Sequence, residues 1–220
     1  MTTDRKPTTS TINGRLWGAR AEDWATIQEA TCRPVYDHML GQSRLRFLLA
    51  DDAGAGKTIM TGLYIREMLS RRLLHRILIV TPAGLIGNWR RELAMLFNLP
   101  FRIVTGADAR AENPFIGENS NWLIISVDTL ASPRVFTRLQ EAAVSPYELV
   151  VFDEAHKLAA DRGPDLRIRK TDRYCLAEAL AGVSGDRQNW SLDWAAHHLL
   201  LLTATPHMGK DYPYYALWRL

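Results

Sequence analysis

Five stretches of this chain are continuously apolar rather than alternating: "RFLLAD" at 46–51, "RILIVTP" at 76–82, "WLIISVDT" at 122–129, "LVVFDEA" at 149–155 and "HLLLLTATP" at 198–206. A sixth, "FRIVTG" at 101–106, is shorter. Strands covered on both faces of a parallel sheet read this way, whereas half-solvated strands alternate. Helices are predicted between them, over 57–71, 85–97, 133–143 and 172–181. In the first, Ile59, Met60, Leu63, Tyr64, Met68 and Leu69 recur at helical spacing. The last is expected to start at an Asp172 cap and stop at Gly182. Alternating strands and helices predict an α/β domain, a mostly parallel sheet with helices on both faces. Residues 157–171 read as a basic loop, and 183–197 as a long connection carrying Trp190 and Trp194. Connections of that length are functional or disordered more often than not.

Small polar residues gather where these strands end. Thr81 and Pro82 close the second run, Asp128 and Thr129 the third, Asp153 and Glu154 the fourth, and Thr203 and Thr205 the fifth. Open α/β sheets bind ligands beyond the C-terminal strand edge, so these residues should share one site. The first run leads into "DDAGAGKT", where Gly54, Ala55 and Gly56 permit a tight turn and Lys57 and Thr58 open a helix. Strand, glycine loop and helix form the context of a phosphate-binding loop, because backbone N–H groups and the helix dipole both favour an anion. Asp51 stands where the general pattern has its first glycine. In "LVVFDEAH", an apolar strand ends in two carboxylates, one suited to hold Mg²⁺ through water and one to orient an attacking water.

Composition narrows the setting. At 220 residues the chain can bury one substantial core, and a net charge of +3 permits nucleic-acid binding without arguing for it. Two cysteines, Cys32 and Cys175, lie far apart in no metal-binding spacing, which fits a reducing cytosol. The six histidines show no ligand spacing, and His197 and His198, being adjacent, would point to opposite faces of a strand. No run approaches the roughly 18 apolar residues of a membrane span. The polar start, "MTTDRKPTTSTINGR", lacks the apolar core of a secretory signal and is expected to be a flexible leader over 1–25, followed by one domain over 26–220.

Taken in order, "LLADDAGAGKT", "ILIVTPAGLIGNW", "LIISVDTL", "VVFDEAH" and "LLLTATPHMGK" resemble motifs I, Ia, Ib, II and III of superfamily two helicases. Their flanking detail resembles the Swi/Snf-like double-stranded-DNA translocases, and among these the bacterial RNA-polymerase-associated ATPases and the helicases of DISARM anti-phage systems. The family has an aspartate at the position of Asp51. The resemblance covers about residues 30–220 and implies a RecA-like P-loop lobe of a DEAH-type ATPase, with ATP and Mg²⁺ as cofactors and double-stranded DNA as partner. It implies that Asp52, Ala53, Gly54, Ala55, Gly56, Lys57 and Thr58 bind the nucleotide, with Lys57 on the β- and γ-phosphates. Thr58 and Asp153 would hold the metal, and Glu154 would be the general base. His156, Thr203 and Thr205 would couple nucleotide state to DNA. Thr81, Pro82, Asn88, Trp89 and Ser126 would lie along the DNA track.

Three departures accompany it. The adenine-reading glutamine position falls on Thr31, with Gln28 out of register. Ala53 and Ala55 replace bulkier apolar residues. A second RecA-like lobe, with its arginine fingers, is not encoded before Leu220, so a fragment, a truncated reading frame or the first lobe of a split enzyme is expected, with a larger complex as a further expected partner. The implied location is the bacterial cytoplasm, near the nucleoid. Another class of P-loop ATPase fits less of the pattern, because the Thr-Ala-Thr strand end and the "TP…NW" element are unexplained by it. A non-enzymatic nucleotide-binding or interaction module would carry the same motifs without turnover.

Overall fold

The structure, a computed structural model, describes residues 31–52, 54–158, 160–162, 165, 167–183, 189–204 and 211–220. After a π-helical turn, Pro34–Met39, the chain runs through β1 (Arg46–Ala50), α1 (Lys57–Ser70), β2 (Ile77–Thr81), α2 (Ile86–Phe97), β3 (Arg102–Val104) and α3 (Asp108–Ala111). It continues through β4 (Trp122–Ser126), α4 (Val127–Leu130), α5 (Pro133–Leu139), β5 (Leu149–Phe152), β6 (Ala160–Arg162), β7 (Ile168–Lys170), α6 (Asp172–Ala181), β8 (His198–Thr203) and α7 (Asp211–Trp218).

Six strands form one parallel sheet in the order β1-β8-β5-β2-β4-β3. The continuous apolar runs are explained by two cores, one on each face. Leu78, Val80, Leu123, Ile125, Val150, Phe152, Leu199 and Leu201 face one core, which α4, α5, α6 and α7 cover. Their strand neighbours Ile77, Ile79, Ile124, Leu149, Val151, Leu200 and Leu202 face the other, beneath α1 and α2. The side-chain period of two along a strand assigns every second residue to each core. No helix among the described residues is long and apolar enough to cross a membrane.

Several element ends differ from expectation. The third run stops being strand at Ser126, whose hydroxyl accepts the Thr129 N–H and starts α4. The fourth ends at Phe152. Helix α6 is capped by Thr171 rather than Asp172: its hydroxyl accepts the Tyr174 N–H, and Asp172 becomes the first helical residue, where a carboxylate suits the dipole. The helix does stop at Gly182, in the left-handed conformation. The segment expected to be a loop contains the antiparallel pair β6–β7, with Ala160 opposite Lys170. Within the long connection, Trp190 packs on Phe136 (ring centroids 4.6 Å apart) and Trp194 on Tyr147 (6.0 Å), so both tryptophans cover a core.

His197 and His198 do part company: His197 is exposed and His198 is buried. The His198 Nδ1 accepts the Leu45 N–H at 2.9 Å, which puts the ring proton on Nε2. Burial, aided by the nearby His197 and Arg46, lowers its pKa to about 4. In the unfolded chain a histidine titrates near 6.5, so between these values the unfolded state binds more protons. Stability is therefore expected to fall as pH drops from about 6.5 to about 4, by on the order of 2–3 kcal/mol from this group. His198→Asn, whose amide oxygen can accept the same N–H, should flatten that slope. Urea midpoints at pH 7 and pH 4.5 measure it, and an unchanged slope would assign the acid sensitivity elsewhere.

Candidate nucleotide site

Parallel pairing brings the C-terminal ends of β1, β8, β5 and β2 side by side. In register, Ala50 pairs with Thr203 and Phe152 with both Val80 and Leu201. The Asp51 N–H donates to the Thr203 carbonyl and the Asp153 N–H to the Val80 carbonyl, extending the ladder one residue into the loops. Strand β8 separates β1 from β5, which sets the glycine loop about 10 Å from the acidic pair. A triphosphate spans that distance.

The loop after β1 is built on backbone that favours glycine. Gly54 and Gly56 have φ of 86° and 84°, and nothing lies within 4 Å of where a Gly54 side chain would begin. Gly56 is also the N-cap of α1, so no side chain caps that helix and no acidic residue occupies its first turn. Its first N–H groups are left for an anion. The Lys57 ammonium folds back onto the loop, donating to the carbonyls of Asp51 (2.7 Å) and Asp52 (2.8 Å). Thr58 is half-buried in the same turn, and Ala55 donates its N–H to the Asp52 carbonyl. Thr31, at the position of the family's glutamine, is buried against the loop: its methyl lies 3.2 Å from where a Gly56 Cβ would be. Ala53, Thr205 and Gln28 lie outside the described residues.

The acidic pair is ordered by different means on its two sides. Asp153 Oδ2 accepts the Thr81 hydroxyl at 3.0 Å and the Trp89 indole N–H at 2.8 Å, and Oδ1 accepts the Glu154 N–H at 2.9 Å. Glu154 itself is left-handed, with φ 51° and ψ 46°. A non-glycine residue held there costs about 1–3 kcal/mol, a strain that concentrates at functional sites. This turn ends the strand and throws the Glu154 side chain toward His156, whose Nδ1 lies 3.1 Å from Glu154 Oε2 and 3.2 Å from Thr203 Oγ1. A proton on Nδ1 is shared between that carboxylate and that hydroxyl, so the ends of β5 and β8 are joined through His156.

Three residues expected along a DNA track are withdrawn from the surface. Thr81 is fully buried and Trp89 is 3% exposed, both turned toward Asp153, and Ser126 is spent on capping α4. Their side chains point inward, and their polar atoms are bonded to Asp153 or to Thr129. Pro82 is half-buried, and Asn88 is exposed with its Oδ1 accepting from Arg91. Sequence reasoning also missed a buried ion pair, Lys170 to Glu178 at 3.0 Å, that fastens β7 to α6, with Arg219 at 3.7 Å. Lys170 ends a basic stretch and Glu178 sits in the next helix, a pairing for which the linear spacing gave no signal.

The residues present fit a nucleotide with Mg²⁺. An uncapped helix N-terminus, a lysine and a well-held carboxylate converge on one edge. Among the described residues no group of three or more His, Cys, Asp or Glu gathers as a metal cage, and Mg²⁺ bound by one carboxylate, phosphate oxygens and water needs none. A cavity of about 970 Å³ opens at the opposite sheet edge, bounded by Arg66, Arg72, His75, Arg102 and Trp122. It lies over the C-terminal turns of α1 and α2, where Arg66 donates to the Phe97 carbonyl, while Arg102 faces Asp108 and His75 faces Glu148.

The SNF2-related domain family matches residues 35–166. The chain is 34% identical over 181 residues to the RNA polymerase-associated protein RapA of Serratia proteamaculans, and 36% over 172 residues to that of Vibrio campbellii. These alignments cover 80% and 76% of this chain but 16% of each relative. The fold is similar to the SWI2/SNF2 ATPase core of Sulfolobus solfataricus, solved with dsDNA: TM-score 0.58, 19% identity, 90% of this chain and 34% of that one. It is also similar to the Hef helicase domain of Pyrococcus furiosus, with TM-score 0.51, 16% identity, and 90% and 35% of the two chains. With its RecA-like α/β sheet and ordered motifs, the chain belongs to the SNF2-related domain family.

Proposed function

We propose that this chain is the ATP-binding lobe of a double-stranded-DNA translocase, in which Mg-ATP hydrolysis drives movement along the duplex. The observation that carries the reading is the convergence of Lys57, Asp153, Glu154, His156 and Thr203 on one sheet edge, with the last three joined by hydrogen bonds. In this reading the N–H groups from Gly54 to Thr58 cradle the phosphates. Lys57 leaves its two carbonyl acceptors for the β- and γ-phosphates. Thr58 and Asp153 hold Mg²⁺, which neutralises charge on the phosphates when bound. Glu154 takes the proton of the attacking water, and His156 reports the state of that carboxylate to Thr203 on β8. Asn88 and Pro82, at the exposed start of α2 and just before it, remain candidates for the DNA face. The solved SWI2/SNF2 core bound to dsDNA supports a duplex as the partner. A second RecA-like lobe would supply the remaining wall of the nucleotide site.

Nucleotide binding should depend on Lys57, the one full positive charge that the loop aims at its ligand. Hydrogen bonds to charged groups contribute about 1.5–3 kcal/mol, so Lys57→Ala should weaken Mg-ATP binding at least about 10-fold by calorimetry. Its melting temperature should move little, since the two loop carbonyls that lose a partner are at least partly exposed to water. Unchanged affinity in a normally folded variant would sink the assignment.

A further inference from the structure

We propose that Trp89 is a positioning residue for Asp153, fixing the metal-holding carboxylate from a helix that also faces solvent. The proposal rests on the nucleotide reading above and extends it to a residue whose motif had pointed to DNA.

The geometry is specific. The indole Nε1–H reaches Asp153 Oδ2 at 2.8 Å, and the Thr81 hydroxyl reaches the same oxygen at 3.0 Å. Both donors are neutral and both of their side chains are buried, while the carboxylate they hold is half-buried at the edge of the site. With Oδ1 accepting the Glu154 N–H at 2.9 Å, rotation of the carboxylate about its Cβ–Cγ bond would break hydrogen bonds on both oxygens. A metal ligand whose plane is fixed by outer partners binds without first being ordered. A phenylalanine would pack at position 89 almost as well, beside Leu93 in the same core, so packing alone does not account for an indole there.

Position matters as much as contact. Trp89 lies in the first turn of α2, between Asn88, which is exposed and bonded to Arg91, and Arg90, also exposed. A shift of this turn by anything bound to its outer face would carry the indole with it, and the carboxylate after it. The device thus links the solvent face of α2 to the metal side of the nucleotide site through one hydrogen bond.

The test uses the 220-residue chain and a fluorescent ATP analogue, titrated in EDTA and then with Mg²⁺ or Mn²⁺. Outer-shell partners of metal ligands typically contribute roughly 10–100-fold to metal affinity. Trp89→Phe is expected to bind the analogue in EDTA as the parent does, while its half-saturating metal concentration rises at least about 10-fold. Thr81→Val should act in the same direction and Thr81→Ser should restore the parental value, which separates donor loss from a packing defect. Equal metal dependence in parent and Trp89→Phe would overturn the proposal. So would an equal loss of binding with and without metal, which is the mark of a purely structural residue. Failure of the parent, or indifference of Lys57→Ala, would instead strike the nucleotide reading itself, and the proposal with it.

Discussion

These 220 residues alone are expected to bind Mg-ATP yet hydrolyse it about 10³–10⁵-fold more slowly than when a second RecA-like lobe completes the site, and DNA should stimulate them little. The reason lies in charge placement. Phosphoryl transfer is accelerated mainly by positioning and by cations aimed at the transferring group, and an arginine finger is worth that factor where it has been removed or supplied. Among the described arginines, Arg46 donates to the Ala181 and Ala196 carbonyls, Arg76 to Phe115, Arg138 to Ala109 and Arg173 to Asp128. Each is committed to a structural acceptor. Lys57 supplies the cation of the loop itself, folded back onto the Asp51 and Asp52 carbonyls. In the proposed reading, the cation facing Lys57 across the γ-phosphate comes from the second lobe. Because the chain spans 16% of the length of its relatives, those proteins contain ample sequence for one. Steady-state ATPase rates, with and without duplex DNA, measured on these residues and on a protein that includes the lobe, would decide it. Fast DNA-stimulated turnover by the 220 residues alone, absent in a Lys57→Ala control, would overturn the two-lobe reading.

Much of the fold was legible because buried parallel strands leave an unambiguous mark. Runs such as Leu199 to Leu202 are apolar at every position, and the two cores on either side of the sheet show why none could be polar. What the runs could not mark was where the strands stop. The fourth run, taken as far as Ala155, is apolar only to Phe152, where the strand ends; the left-handed Glu154 makes the turn, and nothing in "DEAH" alone reveals a positive φ. Strands β6 and β7 were illegible for the opposite reason. They are three residues long and carry Asp161, Arg162, Arg169 and Lys170, so they lack both an apolar run and room for an alternation.

Motif matching carried positions but not directions. It brought Thr81 and Trp89 into the neighbourhood of the site while leaving open which way each pointed. A signal was present: Trp89 and Leu93 form an apolar i, i+4 pair, the buried stripe of α2, flanked by polar Asn88, Arg90 and Arg91. Helical spacing, weighed against the motif, would have turned the tryptophan inward. The indole N–H then needs a buried acceptor, and Asp153 is the one it finds.

Glu154→Gln is expected to lower the hydrolysis rate about 10²–10⁴-fold while leaving ATP affinity close to parental. The amide keeps the volume of the carboxylate, and its oxygen can still accept from His156 Nδ1, now 3.1 Å from Glu154 Oε2, so the link to Thr203 survives. Backbone geometry should survive as well, since the left-handed turn is fixed by the Asp153 contacts on one side and the Ala155–Lys157 turn on the other. The change removes only the capacity to take a proton from water. Measured in the protein with its second lobe, ATP should therefore bind and persist, and DNA should no longer speed its loss. A His156→Ala variant behaves differently in the same scheme: the base remains, but its contact with β8 is gone, so hydrolysis should continue with weakened DNA stimulation. If Glu154→Gln turned over ATP at the parental rate, the base would have to be sought elsewhere on this edge. The strained turn at Glu154 would then have no catalytic explanation.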